Sequence, residues 1–389
     1  MRLALVSDTY LPEINGVTTV LDVMRRGLRA RGHTVLVCAP SYPEGQKDDP
    51  GILRRASIPC PGYPNVRLSS PFGGDVLPVL EAFAPDLVHV VTEGPLGAIG
   101  RRFARRSHLP LVTSFHTDFP RYASKYLGAW AAAPTRRFLR RFHSAAALTQ
   151  TPSEETQREL RELGVPNPVV WGRGVDTMLF SPARRSEQRR AAMDAGGEIP
   201  LVLHVSRLAV EKDVDTLVAA FRRAHELVGE RARFAVAGDG PRGLWVREQL
   251  PFATHFGFLA RERLADLYAD ADLFVFPSPT ETCGLVALEA MAAGLPVIAS
   301  DRGGVLENLR DGLNGRTVTA GSPEQFAEAI VALTSDPGQR DAMAQAARAF
   351  AVARDWEHEL DALEPLYREV VQRHLAPVPT GVPVRFLAG

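Results

Sequence analysis

Short apolar runs of strand length alternate with stretches whose apolar residues recur every three or four positions, beginning at the amino terminus. Residues 3–6 predict a strand, 17–30 a helix and 33–38 the next strand; residues 86–91 and 110–115 continue the series, with a helix at 96–106 between them. Strands buried on both faces read as continuous apolar segments, so this alternation predicts an α/β fold with a parallel sheet doubly wound by helices. The rhythm weakens across residues 172–198, rich in Arg, Gly, Pro and Ser, where a linker is predicted. It restarts with strand-length runs at 201–205, 234–237, 273–276 and 297–299. Two α/β units are therefore expected, residues 1–180 and 195–355, with the boundary near 180–195. Residues 356–374 follow as a helix, and the Pro- and Val-rich residues 377–389 predict a disordered tail. No tandem repeat of 20–50 residues is apparent.

Composition narrows the function classes. The chain has 389 residues, 45% hydrophobic and 23% charged, which is ordinary for a globular protein with sizeable cores. Lys plus Arg (45) equals Asp plus Glu (45), which argues against a general nucleic-acid coat, since that affinity comes from excess cations. Three cysteines without C-x-x-C spacing point to neither a disulfide framework nor a zinc site, and a reducing compartment fits best. The apolar run before Asp8 is too short for a secretory signal and far below the ~20 residues of a membrane span, so a cytoplasmic location is expected.

Ligands of open parallel sheets bind at the carboxyl ends of the strands, so the residues after each strand matter most. The run 201–205 leads into Ser206-Arg207-Leu208-Ala209-Val210-Glu211-Lys212, where a planar guanidinium and a mobile ammonium suit a diphosphate without a metal. A solvated helix start with a Glu211/Lys212 surface pair is the competing reading. The run 273–276 leads into Pro277-Ser278-Pro279-Thr280-Glu281-Thr282-Cys283-Gly284 and then a helical pattern from Leu285. Free N–H groups at such a helix start favour anions. Glu281 and Glu289 lie eight residues apart, roughly 12 Å along a helix axis. Glu289 sits among Leu285, Val286, Leu288 and Met291, and a carboxylate in apolar company needs partners, which a ribose would provide.

These segments are recognisable together. Glu281 and Glu289 form an E-x7-E motif that resembles that of the retaining GT-B glycosyltransferases of family four. Arg207 and Lys212 resemble that family's R-x4-K pair, and Ala237-Gly238-Asp239-Gly240-Pro241 its G-D-G-P turn. Gly174-Val175-Asp176 with Phe180-Ser181-Pro182 resembles its interdomain signature, and Ser7-Asp8-Thr9-Tyr10-Leu11-Pro12 with Asn15-Gly16-Val17 its glycine loop. The resemblance covers roughly residues 1–370. Within the family it is nearest to GDP-mannose-dependent α-mannosyltransferases and lipid-glycosylating relatives, on the runs Arg173 to Ser186 and Ser114 to Pro120.

The resemblance implies two Rossmann-like domains facing across a cleft, with the final helix crossing back to the first. It implies that Glu289 holds the ribose hydroxyls, Glu281 the donor sugar, and Arg207 and Lys212 the diphosphate. Backbone groups of Thr282, Cys283, Gly284 and Leu285 would cap the distal phosphate, and Phe258 in the 256–258 turn would lie beside the base. Gly16 would let the first loop approach the phosphate or sugar. His116 would face the reacting carbon, while Tyr10, Asn15, Asp118 and Tyr122 would serve the acceptor side. The implied reaction moves a hexose, mannose before glucose or glucuronate, from a nucleotide-diphosphate sugar to a hydroxyl acceptor, a glycolipid before a soluble sugar. It requires no metal or cofactor. Fixed cations and N–H groups aimed at the leaving diphosphate lower the barrier.

Three patterns point elsewhere. Gly238-Asp239-Gly240-Pro241-Arg242-Gly243 satisfies the G-x-G-x-x-G dinucleotide fingerprint, but it follows the second strand of its unit, so an NAD-dependent dehydrogenase or epimerase is the rival enzyme class. Asp270-Ala271-Asp272 mimics a metal-binding D-x-D but precedes its strand. Residues 101–142 carry ten basic residues against Asp118 alone, with Trp130, Phe138, Leu139 and Phe142 interleaved among the later arginines. That composition suits the surface of an anionic membrane. A non-catalytic membrane-surface binding module would use this patch alone.

Overall fold

The computed structural model describes residues 1–13, 15–43, 49–60, 63–70, 72, 74–116 and 128–376. Asp118, Tyr122 and the tail at 377–389 lie outside the described residues. The chain divides into two compact units, one comprising Met1–Ser114, His143–Thr149 and the chain from Asp361 on, the other Phe115–Phe142 and Gln150–Leu360.

Seven strands form the first sheet: β1 (Arg2–Val6), β2 (Thr34–Pro40), β3 (Ile52–Arg55), β6 (Leu87–Val90), β7 (Leu111–Ser114), β8 (Leu148–Thr151) and β9 (Pro168–Val170), in the order β3-β2-β1-β6-β7-β8-β9. A separate antiparallel pair, Ser57–Cys60 with Tyr63–Ser69, accounts for β4 and β5. Strand β1 pairs in parallel with both β2 and β6. Leu3 to Val6 are fully buried, as expected for an apolar run between two layers of helix. The helix Gly16–Ala30 starts at Asn15, whose side chain accepts from Thr18 N while Thr18 reaches back to the Asn15 backbone. Such a reciprocal cap contributes about 1 kcal/mol. Its buried Leu21, Met24 and Leu28 lie on one stripe.

The second sheet has β10 (Leu201–Val205), β11 (Arg233–Ala237), β12 (Thr254–Gly257), β13 (Leu273–Phe276), β14 (Val297–Ser300) and β15 (Gly315–Val318), in the order β12-β11-β10-β13-β14-β15, with every neighbouring pair parallel. Alternation along its strands feeds two different cores. Leu201, Leu203, Phe274 and Phe276 pack into one, Val202, Leu273 and Val275 into the other. The direction of strand addition reverses between β10 and β13, and at such a reversal the flanking loops part to leave a crevice at the carboxyl ends.

The segment predicted as a linker is anchored. It carries a short helix, Glu187–Ala191, and its arginines grip the second unit: Arg184 pairs with Asp266 at 2.6 Å, and Arg185 and Arg190 with Asp272 at 2.8 Å. Arg189 engages Asp270. The final helix, Trp356–Leu375, opens in the second unit, where Trp171 Nε1 donates to Glu359 O at 2.7 Å. It continues in the first, where Tyr367 Oη lies 2.6 Å from His89 Nδ1.

Candidate functional site

The residues expected to grip a diphosphate lie at the reversal point of the second sheet. The loop after β10 carries Arg207 and Lys212, and the turn after β13 carries Glu281. Lys212 Nζ pairs with Glu281 Oε1, and Arg207 pairs with Glu211 Oε1. Glu211 is 1% exposed, so it is not the surface group considered from sequence; it sits beneath its loop and orients the guanidinium above. Its backbone carbonyl also accepts from Thr280 Oγ1 at 2.8 Å, which ties the two loops together. Beneath them His204 is fully buried, with Nδ1 donating to Val275 O at 2.8 Å and Nε2 2.8 Å from Ser206 Oγ. Burial, helped by the Lys212 charge, pushes its pKa down to about 4, so the base of the site stays uncharged there.

Glycines let these loops meet. Gly238 has φ +124°, and a Cβ there would lie 1.8 Å from Ser206 O. The G-D-G-P turn therefore packs its backbone against the Arg207 loop, with Leu208 N donating to Asp239 O at 2.9 Å. That close approach explains glycines that from sequence alone also fit a dinucleotide fingerprint. On the other side Gly304 approaches Thr282, where a Cβ would lie 2.1 Å from the Thr282 carbonyl oxygen.

Gly284, at φ +70°, starts the helix Leu285–Ala292. The preceding turn is pinned by Asn308, buried, whose Nδ2 donates to Cys283 O at 2.9 Å. Cys283 is buried, and burial pushes its thiol up to about 12, which suits a packing residue. Glu289 is half-buried on the same helix; burial raises its carboxyl to about 7, against the charge of Arg261. Phe258, just beyond β12, is 63% exposed. A cavity of about 260 Å³ opens nearby, lined by Leu208, Gly238, Asp239, His255 and Gly257 among others.

His116 joins this cluster. Its carbonyl accepts from Thr282 Oγ1 at 3.0 Å, and its Nδ1 lies 3.2 Å from the Arg173 guanidinium. Arg173, 3% exposed, donates to Trp171 O and Gly172 O at 2.8 and 3.0 Å. The sequence marks Glu211 only as a surface neighbour of Lys212, and it gives no signal for Asn308. Only the R-G-V-D run hinted at Arg173.

In the first unit, Gly16 is exposed at the first position of its helix. Asn15 spends its side chain on the cap and on Thr9 and Glu13, at 3.1 Å each. Tyr10 is 1% exposed and donates its hydroxyl to Asp22 at 2.9 Å, so it braces the loop from inside. The D-x-D residues are committed to arginines: Asp270 holds Arg189, and Asp272 holds Arg185 and Arg190. Among the described residues no three His, Cys, Asp or Glu side chains gather as metal ligands. The basic helix Ala132–His143 buries Leu139 and Phe142 while Arg136, Arg137, Phe138, Arg140 and Arg141 are exposed, and Trp130 before it is 73% exposed. No helix among the described residues is long and apolar enough to cross a membrane.

Residues 14–179 match the profile described as Glycosyltransferase Family 4, and residues 199–336 that of Glycosyl transferases group 1. A GDP-mannose-dependent alpha-mannosyltransferase of Mycobacterium tuberculosis is 33% identical over 376 residues, covering 95% of this chain and 97% of the relative. One of Mycolicibacterium smegmatis is 34% identical, covering 96% and 98%. A sulfoquinovosyl transferase of Arabidopsis thaliana is 33% identical, covering 91% of this chain and 71% of that protein. Among solved structures, a sucrose-phosphate synthase from Thermosynechococcus elongatus superposes with a TM-score of 0.77 at 20% identity, covering 96% of this chain and 99% of that one.

Proposed function

Because the chain belongs to glycosyltransferase family 4, we propose that it transfers mannose, with retention of configuration, from GDP-mannose to a hydroxyl of a lipid-linked acceptor. The observation that carries the reading is the meeting of Lys212 and Glu281, 69 residues apart in sequence, at the reversal point of the second sheet with Arg207 on the same loop. In this reading Arg207 and Lys212 neutralise the diphosphate, and the backbone of Thr282 to Leu285 caps its distal phosphate. Glu281 holds the sugar and Glu289 the ribose diol. The base occupies the cavity beside Gly257 and Phe258, and His116 faces the transferred sugar. Breaking the sugar–phosphate bond sends the electron pair to the leaving oxygen, where the cations and N–H groups stabilise it. On a front-face route that oxygen then takes the acceptor's proton as the new glycosidic bond forms. Gly16, Asp118 and Tyr122 serve the acceptor and sugar side, while Tyr10 and Asn15 brace the loop that carries Gly16.

Mannose is favoured by the two mycobacterial relatives, whose names specify GDP-mannose and whose matches run nearly end to end. A lipid acceptor is favoured by relatives named alpha-monoglucosyldiacylglycerol synthase, 27% and 29% identical, and by the exposed arginines and Trp130 of the basic region. The same relatives favour transfer of a glucose-type sugar as the second reading, with UDP-glucose as the donor to test. Incubating the protein with GDP-mannose, UDP-glucose, UDP-glucuronate or NAD, with and without glycolipid vesicles, separates the readings. GDP release from GDP-mannose, stimulated by the vesicles, is expected. Release of UDP alone would favour the second reading, and no release with a thermal shift from NAD would overturn both.

A further inference from the structure

Which nitrogen of a histidine carries the proton is set by what its other nitrogen faces. His116 Nδ1 lies 3.2 Å from Arg173 NH2. A guanidinium has donors only and stays charged in a folded protein, so Nδ1 can act there only as an acceptor. The ring proton then resides on Nε2, and a second proton on Nδ1 would meet the guanidinium charge.

Arg173 is held in place. It is 3% exposed, its other terminal nitrogen is spent on the carbonyls of Trp171 and Gly172, and its guanidinium carbon lies 5.0 Å from the centre of the Trp171 ring. Burial lowers its pKa, opposed by the neighbouring Glu359 carboxylate. The His116 backbone is fixed as well, through Thr282 Oγ1.

We propose that Arg173 is a positioning residue that fixes His116 as an Nε2–H hydrogen-bond donor toward the transferred sugar and so removes it as a general base. This rests on the reading above that His116 faces that sugar. An Nε2 that already holds its proton has no lone pair for the acceptor hydroxyl's proton, which leaves that proton to the departing phosphate oxygen. The cation behind Nδ1 also polarises the ring and strengthens the Nε2–H bond to an oxygen of the sugar.

The tautomer is read directly by ¹⁵N NMR of the full-length protein with labelled histidine, assigning His116 by its loss in His116→Gln. An unprotonated Nδ1 and protonated Nε2 are expected in the wild type, without donor. Arg173→Met should shift both nitrogens toward a tautomer average, and Arg173→Lys should restore the wild-type pattern. A protonated Nδ1 in the wild type would overturn the proposal without touching the assignment of the reaction. Kinetics supply the second arm. His116→Gln keeps an amide N–H near the Nε2 position without basicity and should retain transfer within about tenfold, whereas His116→Ala should lose roughly 100-fold in kcat. Equal loss in both variants would mark the ring as a base and sink the proposal. Full activity in His116→Ala would refute its contact with the sugar whatever the tautomer.

Discussion

Glu289 offers a pH test that isolates one side chain. Its carboxyl is raised from 4.5 to about 7 by burial on the helix Leu285–Ala292, most of whose residues are themselves buried. In the unfolded chain the same group ionises near its ordinary value. Between those two pH values the folded state keeps a proton that the unfolded state has lost, so stability falls as pH rises through that window and is level above it. At ~1.4 kcal/mol per tenfold in proton affinity, ionising Glu289 costs the folded protein at most roughly 3 kcal/mol, less where solvent reaches its half-buried end. Glu289→Gln has no charge to desolvate. Near pH 4, below both pKa values, the variant and wild type should unfold at nearly the same urea concentration. At pH 8 the variant should be more stable by about 2 to 3 kcal/mol. Urea titrations at both pH values, followed by tryptophan fluorescence, give the difference between variant and wild type, in which every other titrating group cancels. A difference that does not change with pH would refute the buried, proton-retaining carboxyl.

Three further outcomes follow from the geometry. Gly238→Ala places a Cβ 1.8 Å from Ser206 O at a φ of +124°, so it should destabilise the second unit by about 2 kcal/mol or more and lower its melting temperature visibly in calorimetry. Arg190→Met strips the buried guanidinium from Asp272 and from Ile199 O, each at 2.8 Å, and should cost roughly 3 to 5 kcal/mol in urea unfolding. Replacing Arg136, Arg137, Arg140 and Arg141 by Gln should weaken co-sedimentation with anionic vesicles by about 1 kcal/mol per residue while leaving binding to neutral vesicles unchanged. Equal sedimentation of variant and wild type would remove the membrane reading.

What the sequence discloses depends on whether burial and apolarity coincide. Strands β1, β10, β13 and β14 are apolar and buried on both faces, and their runs stand out. β8 is equally buried but reads Leu-Thr-Gln-Thr; Thr149 is satisfied by Thr113 Oγ1 at 2.9 Å, and a pattern of apolar residues cannot reveal such a strand. β12, Thr-His-Phe-Gly, is a half-buried edge strand, and β15 contains Gly and Arg, so neither shows an apolar run. The Arg-rich segment before β10 reads as a linker because its counter-charges, Asp266, Asp270 and Asp272, lie 80 or more residues away. Distance in sequence also hid the finer site. Glu211 reads as a surface neighbour of Lys212, but the turn Val210–Lys212 rotates it under Arg207 and leaves Lys212 to meet Glu281. The link from Arg173 to His116 spans 57 residues and has no local signal at all.

Titrating GDP, with UDP in parallel, into the wild type and into Arg207→Ala/Lys212→Ala by calorimetry tests the diphosphate clamp most directly. Two charge-assisted contacts at about 1.5 to 3 kcal/mol each predict a loss of affinity of at least 100-fold in the double variant, titrated below its melting temperature, which the removal of Arg207 from the buried Glu211 lowers. Unchanged affinity for both nucleotides would contradict the assignment of these residues to the diphosphate.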